Sequence, residues 1–216
     1  MRIGILGATG PAGSGLAARL ASVGHEVLFG SRVLDRAQQA VAELGARWGR
    51  RVAGLVACDN SGACDAPVIV LAVQAGAAIP TIKEHAERLV GKVVVSMANN
   101  LVRSGNEFNA VLPPHGSVAA EIQALLWHTR VCTAFHLVPA AAFANLDHAM
   151  ESDVVVLGDD DGARATLMAL TASMPNLRAL DGGSLRNAVA METFAAVLLT
   201  INLRHRCRTS LRLIGI

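Results

Sequence analysis

The chain has 216 residues, 52% hydrophobic and only 17% charged, with a formal net charge of +2. That balance allows a sizeable buried core and excludes a disordered or acidic-tail protein. It is also too weakly basic to imply a nucleic-acid partner. The uncharged run Ala66 to Ile82 contains Pro67, Gln74, Gly76 and Pro80, and it is shorter than a membrane span requires. The N-terminal apolar stretch is broken by Gly7, Gly10, Pro11 and Gly13, which does not fit a secretory signal, so a soluble cytoplasmic protein is expected.

The chain opens on an apolar strand, Arg2 to Leu6, followed by a glycine-rich turn. A helix follows, with Leu16, Leu20 and Val23 on one face and Gly24 at its end. Glu26 to Gly30 reads as the next strand, completing a βαβ opening. A polar helix is expected over Asp35 to Arg47, then strands at Val52 to Ala57, Pro67 to Val73 and Lys92 to Ser96 with helices between the later ones. Their continuous Val/Ile/Leu content marks strands covered on both faces, as in parallel sheets. Met97 to Gly116 reads as loop, Ser117 to Leu126 as helix, Val131 to His136 as strand, and Pro139 to Leu146 as an Ala-rich loop. Asp153 to Gly158 and Leu177 to Asp181 read as further strands, and Ser184 to about Arg206 as a long apolar helix. The fold class expected is α/β: a Rossmann-type, doubly wound, mainly parallel sheet with a small C-terminal α/β extension. The expected division is residues 1–140 as the larger, N-terminal domain and 141–216 as a smaller C-terminal region.

The turn after the first strand carries the most information. Gly7, Gly10 and Gly13 form G-x-x-G-x-x-G, in which Ala8 stands where the usual dinucleotide fingerprint has its first glycine. Gly10 would let the backbone approach a pyrophosphate and Gly13 would let the helix pack closely on the strand. The helix N-terminus then offers N–H groups and partial positive charge to the phosphates. At the end of the second strand, where an NAD protein carries an acid, stand Ser31, Arg32 and, one turn on, Arg36. A hydroxyl with two guanidiniums suits a 2′-phosphate, which selects NADP over NAD.

Other chemistries find little support. There is no Tyr, so a tyrosine proton donor is excluded. Cys58, Cys64, Cys132 and Cys207 form no C-x-x-C pair, and the seven His form no zinc-binding pattern, so no metal is expected. Asp159 to Asp161 suit a helix cap better than a metal site. The C-terminal Arg204, Arg206, Arg208 and Arg212 form either a solvated helix end or a capture site for an anionic ligand. The face Ala195, Leu198, Leu199 and Asn202 buries against the sheet or against a second subunit.

Several blocks outside the turn carry a resemblance. They are Met1 to Gly10, Gly24 to Val27 with Gly30-Ser31-Arg32, Ala134 to Ala141, Phe143 to Asp147, Gly158 to Asp161, Leu177 to Leu185 and the ending Ser210 to Leu213. Together they resemble NADP oxidoreductases dependent on the deazaflavin coenzyme F420, over almost the whole chain. The resemblance implies reversible hydride transfer between NADP(H) and that coenzyme, in a cytoplasmic homodimer. It implies that Gly7, Thr9, Gly10, Pro11 and Ala12 hold the pyrophosphate, with Ser31, Arg32 and Arg36 at the 2′-phosphate. Ala75, Ile79 and Leu101 would line the cofactor groove, with Pro139 and Ala140 beside them. His136, Val138 and Leu211 would face the deazaflavin. A hydride passing between stacked rings needs no protein acid, so His136 and Val138 are expected to orient rather than to transfer protons. Two other readings stay open: an NADPH-dependent flavin or ferric reductase, and a non-catalytic NADPH-binding redox sensor.

Overall fold

A computed structural model describes residues 1–216. The strands and helices alternate in chain order. β1 (Arg2–Leu6), α1 (Pro11–Ser22), β2 (Glu26–Ser31), α2 (Leu34–Trp48), β3 (Leu55–Asp59), α3 (Asn60–Ala63), β4 (Val68–Leu71), α4 (Ala75–Leu89) and β5 (Val93–Ser96) form the first half. A hairpin of β6 (Leu101–Ser104) and β7 (Glu107–Ala110) follows, then α5 (Val118–Leu125), β8 (Arg130–Thr133) and α6 (Ala140–Ala144). The chain closes with β9 (Ser152–Gly158), α7 (Asp161–Ala172), β10 (Leu177–Asp181) and α8 (Ala188–His205).

The main sheet has the order β10-β9-β8-β5-β4-β1-β2-β3, with every adjacent pair parallel except β8 and β9. Its β3-β2-β1-β4-β5 portion is the Rossmann order, whose switch point lies between β1 and β4. Alternate residues of each strand supply two separate cores. Ile3, Ile5, Val27, Phe29, Val68, Val70, Val93 and Val95 face α1, α2 and α7. Leu6, Leu28, Ile69, Leu71 and Val94 face α4 and α5. Strands buried on both sides read as unbroken apolar runs for this reason.

Four elements differ from the sequence expectation. The strand expected over Val131 to His136 spans Arg130–Thr133, and Phe135, at φ +67°, turns the chain before His136. The strand expected from Val52 begins at Leu55, because Gly49–Val52 forms a 3-10 turn and Val52 buries its side chain against the core there. The expected Met97–Gly116 loop holds the hairpin, closed by the two-residue turn Gly105-Asn106 with Gly105 at φ +57°. The Ala-rich stretch after Pro139 is α6, which docks on α1. A Cβ on Gly15 would lie 2.7 Å from Phe143 Cβ and 2.9 Å from the Ala144 nitrogen, so only glycine permits that approach. The buried guanidinium of Arg19 then donates to the Ala142 and Asn145 carbonyls at 2.7 and 2.6 Å, satisfying the end of α6. Position 140 thus falls inside this packing, and β9 and β10 continue the same sheet.

Glu192 ties α8 to α5. Its carboxylate is buried and accepts the Val118 and Ala119 N–H groups at 2.7 and 3.1 Å. Burial pushes its pKa from 4.5 up to about 7. The folded state therefore holds a proton that the unfolded chain has lost between those values, and stability from this group falls as pH rises through them. Relative to Glu192→Gln, wild-type stability should drop by on the order of 2–3 kcal/mol between pH 4.5 and 7.5 in chemical denaturation. A pH-independent difference would contradict this assignment.

Candidate nucleotide and coenzyme site

The turn between β1 and α1 is built around Gly7, at φ +73°. A Cβ there would lie 2.4 Å from Val73 Cγ1, so both conformation and space require glycine. The Gly7 N–H donates to Asn60 Oδ1 at 3.2 Å, and Ala8 N–H donates to the Gly30 carbonyl at 2.8 Å. Ala8 is fully buried, so its methyl packs inward and the missing fingerprint glycine leaves the turn intact. A Cβ on Gly13 would sit 2.9 Å from Ala8 Cα, which makes Gly13 the close-packing residue. Gly10 differs: a Cβ there would meet protein no closer than 3.6 Å. It would stand in an open cradle of the shape a pyrophosphate fills.

α1 has no side-chain cap and no acid in its first turn. α2, α4, α6 and α8 also lack side-chain caps, while Asp59, Ser117 and Asp160 cap α3, α5 and α7; α1 differs from the other uncapped helices in following the glycine turn. The first N–H groups of α1 are therefore left for a ligand, with the positive end of the helix dipole behind them. They open on a groove of about 860 Å³ at the carboxyl ends of β1, β2 and β4. Gly7, Thr9, Gly10, Pro11 and Ala12 form one wall, and Ser31, Arg32 and Arg36 stand at the end of β2. Arg32 and Arg36 are exposed and pair with no protein carboxylate, whereas Arg51, Arg88, Arg164, Arg178 and Arg204 are all paired. Ser31 is buried and its Oγ accepts the Val33 N–H at 3.3 Å. The one carboxylate in the lining is Glu84, on α4. The donor set suits a dinucleotide carrying an extra phosphate.

The rest of the expected site is dispersed. Ala75 and Ile79 lie on the face of α4 that packs on the core; the groove face of α4 carries Ala77, Pro80, Thr81 and Glu84. Leu101 opens β6 and lies outside the groove. His136, Val138, Asp153 and Val154 share a small hollow where β8 ends and β9 begins. The His136 side chain meets Thr133 Oγ1, whose hydroxyl donates to the Ser96 carbonyl at 3.0 Å. With that hydroxyl proton committed, His136 Nε2 is the donor to Thr133. Burial pushes the His136 pKa down to about 4, so the ring is neutral near pH 7. The Leu211 carbonyl accepts the Asp153 N–H at 2.8 Å, which brings the C-terminal segment beside this hollow. Pro139 lines a separate cavity of about 270 Å³ with His148, Glu151, Arg208 and Ser210.

The C-terminal arginines divide. Arg204 pairs with Glu107 and Arg212 with Asp153, while Arg206 and Arg208 have no carboxylate partner. Asp160 caps α7 by accepting the Ala163 N–H at 2.7 Å, Asp161 pairs with Arg164, and Asp159 accepts the Leu185 N–H at 3.0 Å. Sequence reasoning missed Asn60, Gln74, Thr81 and Met97 in the groove. Only the crossover of β3 and β4 around β1 brings them to it.

Fold and groove together define a dinucleotide-binding Rossmann protein. Known proteins narrow the class. The profile of the family "NADP oxidoreductase coenzyme F420-dependent" matches residues 2–100. The F420-dependent NADP reductase of Methanocaldococcus jannaschii is 32% identical over 213 residues, covering 96% of this chain and 95% of the relative. That of Methanothermobacter marburgensis is 30% identical over 217 residues, covering 97% and 96%. A solved Arthrobacter sp. FB24 protein, provisionally described as an F420-dependent NADP reductase, superposes with a TM-score of 0.80 at 26% identity, covering 96% of each chain. An imine reductase from Streptomyces aurantiacus, at 19% identity and a TM-score of 0.61 over 94% of this chain and 61% of its own, shares the fold alone. The chain belongs to the F420-dependent NADP reductase family.

The two turn glycines should separate on substitution. Gly7→Ala should lower stability by about 1–3 kcal/mol through strain and the clash with Val73. Gly10→Val, at an extended backbone with open space, should keep the thermal midpoint near wild type while filling the cradle. Equal stability losses for the two would show that the turn is built otherwise.

Proposed function

We propose that this chain is an NADPH:coenzyme F420 oxidoreductase that passes a hydride reversibly between NADP(H) and the deazaflavin. The observation that carries the reading is an acid-free strand end with two unpaired arginines, on an uncapped helix, in a chain related throughout to F420-dependent NADP reductases. Bound NADPH supplies the hydride and the oxidised deazaflavin takes it up. Thr9 to Ala12 and the first N–H groups of α1 hold the pyrophosphate, while Ser31, Arg32 and Arg36 grip the 2′-phosphate. Ala75 and Ile79 contribute by seating α4 on the core, and Leu101 by opening the hairpin through its pairing with Ala110.

His136 is held neutral, with its ring fixed through Thr133, so it orients and relays no proton. Val138, Pro139, Ala140 and Leu211 form the apolar wall on the deazaflavin side. Arg208, in the cavity beside Pro139, is the cation for an anionic coenzyme tail, with His148 beside it as a hydrogen-bonding group. Residues 1–140 thus hold the nucleotide and residues 141–216 complete the deazaflavin site. The protein works in the cytoplasm as a homodimer, paired through α8, where Val197 is 49% exposed and Phe194, Leu198 and Ile201 are half-buried. No helix is long and apolar enough to cross a membrane.

Mixing the protein with NADPH and oxidised F420 should bleach the deazaflavin absorbance; no bleaching, with both molecules shown to bind, would refute the activity. Replacing Arg32 and Arg36 together with Ala should weaken NADPH binding by about 2–4 kcal/mol and change NADH binding little. Equal losses for both nucleotides in calorimetric titration would contradict the 2′-phosphate assignment.

A further inference from the structure

Two polar side chains in the groove are left unsatisfied by the fold. Asn60 opens α3 and is 6% exposed. Its Oδ1 accepts the Gly7 N–H, which turns the other half of the amide away from the turn. Nδ2 donates to no protein group, yet it is not sealed from the groove that Asn60 lines. Thr81, on α4, is 8% exposed and lines the same groove. Three of the four other helical threonines return their hydroxyls to the carbonyl four residues back, Thr166 to Gly162, Thr171 to Leu167 and Thr193 to Val189, at 2.7–2.8 Å, and the fourth, Thr200, accepts the Phe108 N–H. The Thr81 hydroxyl makes no such bond and has no other protein partner. A nearly buried hydroxyl and a nearly buried amide that forgo protein partners cost stability unless something else meets them.

We infer that Asn60 Nδ2 and Thr81 Oγ1 are hydrogen-bonding groups for the adenosine half of the nucleotide, an assignment that rests on the NADP reading of the groove. Asn60 lies on the β2 side of the turn, against Gly30 and next to Ser31, away from Met97 and the hollow at His136. As a donor, its amide needs an oxygen, which the ribose and its phosphates supply. Thr81 both donates and accepts, so it serves a ribose hydroxyl or a purine nitrogen. Asn60 then has two tasks: Oδ1 braces the left-handed turn, and Nδ2 reads what the turn holds.

The test uses the intact protein, with NADPH, adenosine 2′,5′-bisphosphate and reduced nicotinamide mononucleotide as probes. Thr81→Val is nearly isosteric and removes only the hydroxyl. It should weaken NADPH and the bisphosphate by the same factor, about 5- to 30-fold, and leave the mononucleotide unchanged. The Asn60 side-chain amide resonance, assigned by its loss in Asn60→Ala, should shift when the bisphosphate is added to wild-type protein. A residue that merely braced the turn would leave that resonance in place. If wild type binds NADPH but Thr81→Val binds all three probes equally well, or the Asn60 amide stays unmoved, the inference for that residue is overturned and the NADP reading stands. If wild type binds neither NADPH nor the bisphosphate, the NADP reading fails and this inference fails with it.

Discussion

The uncapped N-terminus of α1 is the constraint on which the rest of the molecule depends. A helix start without a side-chain acceptor, opening on a groove, leaves donors that water or an anion can meet. Holding it open needs a backbone that turns sharply without placing a side chain in the way. Gly7 provides the left-handed residue, Asn60 pins its N–H, and Gly13 lets the helix lie close over β1. The same helix then sets the position of the second half of the site. Gly15 admits α6 to near contact, and Arg19 closes the far end of α6 through its carbonyls. α6 follows directly on His136 to Pro139, so one helix carries the proposed phosphate cradle at its start and the proposed deazaflavin wall along its side. On the proposed assignment, the spacing between the two coenzymes is inherited from helix packing, which tolerates little volume change.

Charge is distributed in the same sense. Most arginines are committed: to carboxylates, as in the Arg164 pairs with Asp161 and Asp181, or to carbonyls, as with Arg19. Arg32, Arg36, Arg47, Arg50, Arg186, Arg206 and Arg208 take neither kind of partner, and among them Arg32 and Arg36 border the groove and Arg208 the cavity beside Pro139. At His136 the chain does the opposite. Burial keeps the ring uncharged, and the Ser96–Thr133–His136 chain of hydrogen bonds fixes its tautomer. Cationic edges with a neutral, apolar centre suit two anionic coenzymes meeting ring to ring, a reaction that asks the protein for positioning rather than proton transfer.

Much of this was legible in the residues, and the misses have physical causes. β1 and β10 are read to the residue, because each short run of mostly apolar residues is bounded by glycine turns, Gly7 after β1 and Gly182-Gly183 after β10. The phosphate turn and its arginines follow from local sequence, since a strand, a turn and a helix start are contiguous. The hairpin was missed although its Gly105-Asn106 turn is a hairpin signal, because its strands are mostly exposed and lack an apolar run. α6 was missed because five residues of Ala and Phe have no period; a glycine on another helix makes them a helix here. Asn60 and Thr81 carry no local sign at all. Ala75 and Ile79 were assigned to the groove from position after β4, but the rotation of α4 turns them to the core.

The central claim is that the protein aligns NADPH and the deazaflavin for direct transfer of a hydride, with no exchangeable group between them. NADPH carrying deuterium at the transferred position of its nicotinamide tests this directly. The label should appear in the reduced deazaflavin, with a slowed single-turnover rate and no loss to solvent. Deuterium washing out into water during turnover would contradict the account and place an exchangeable protein group in the path.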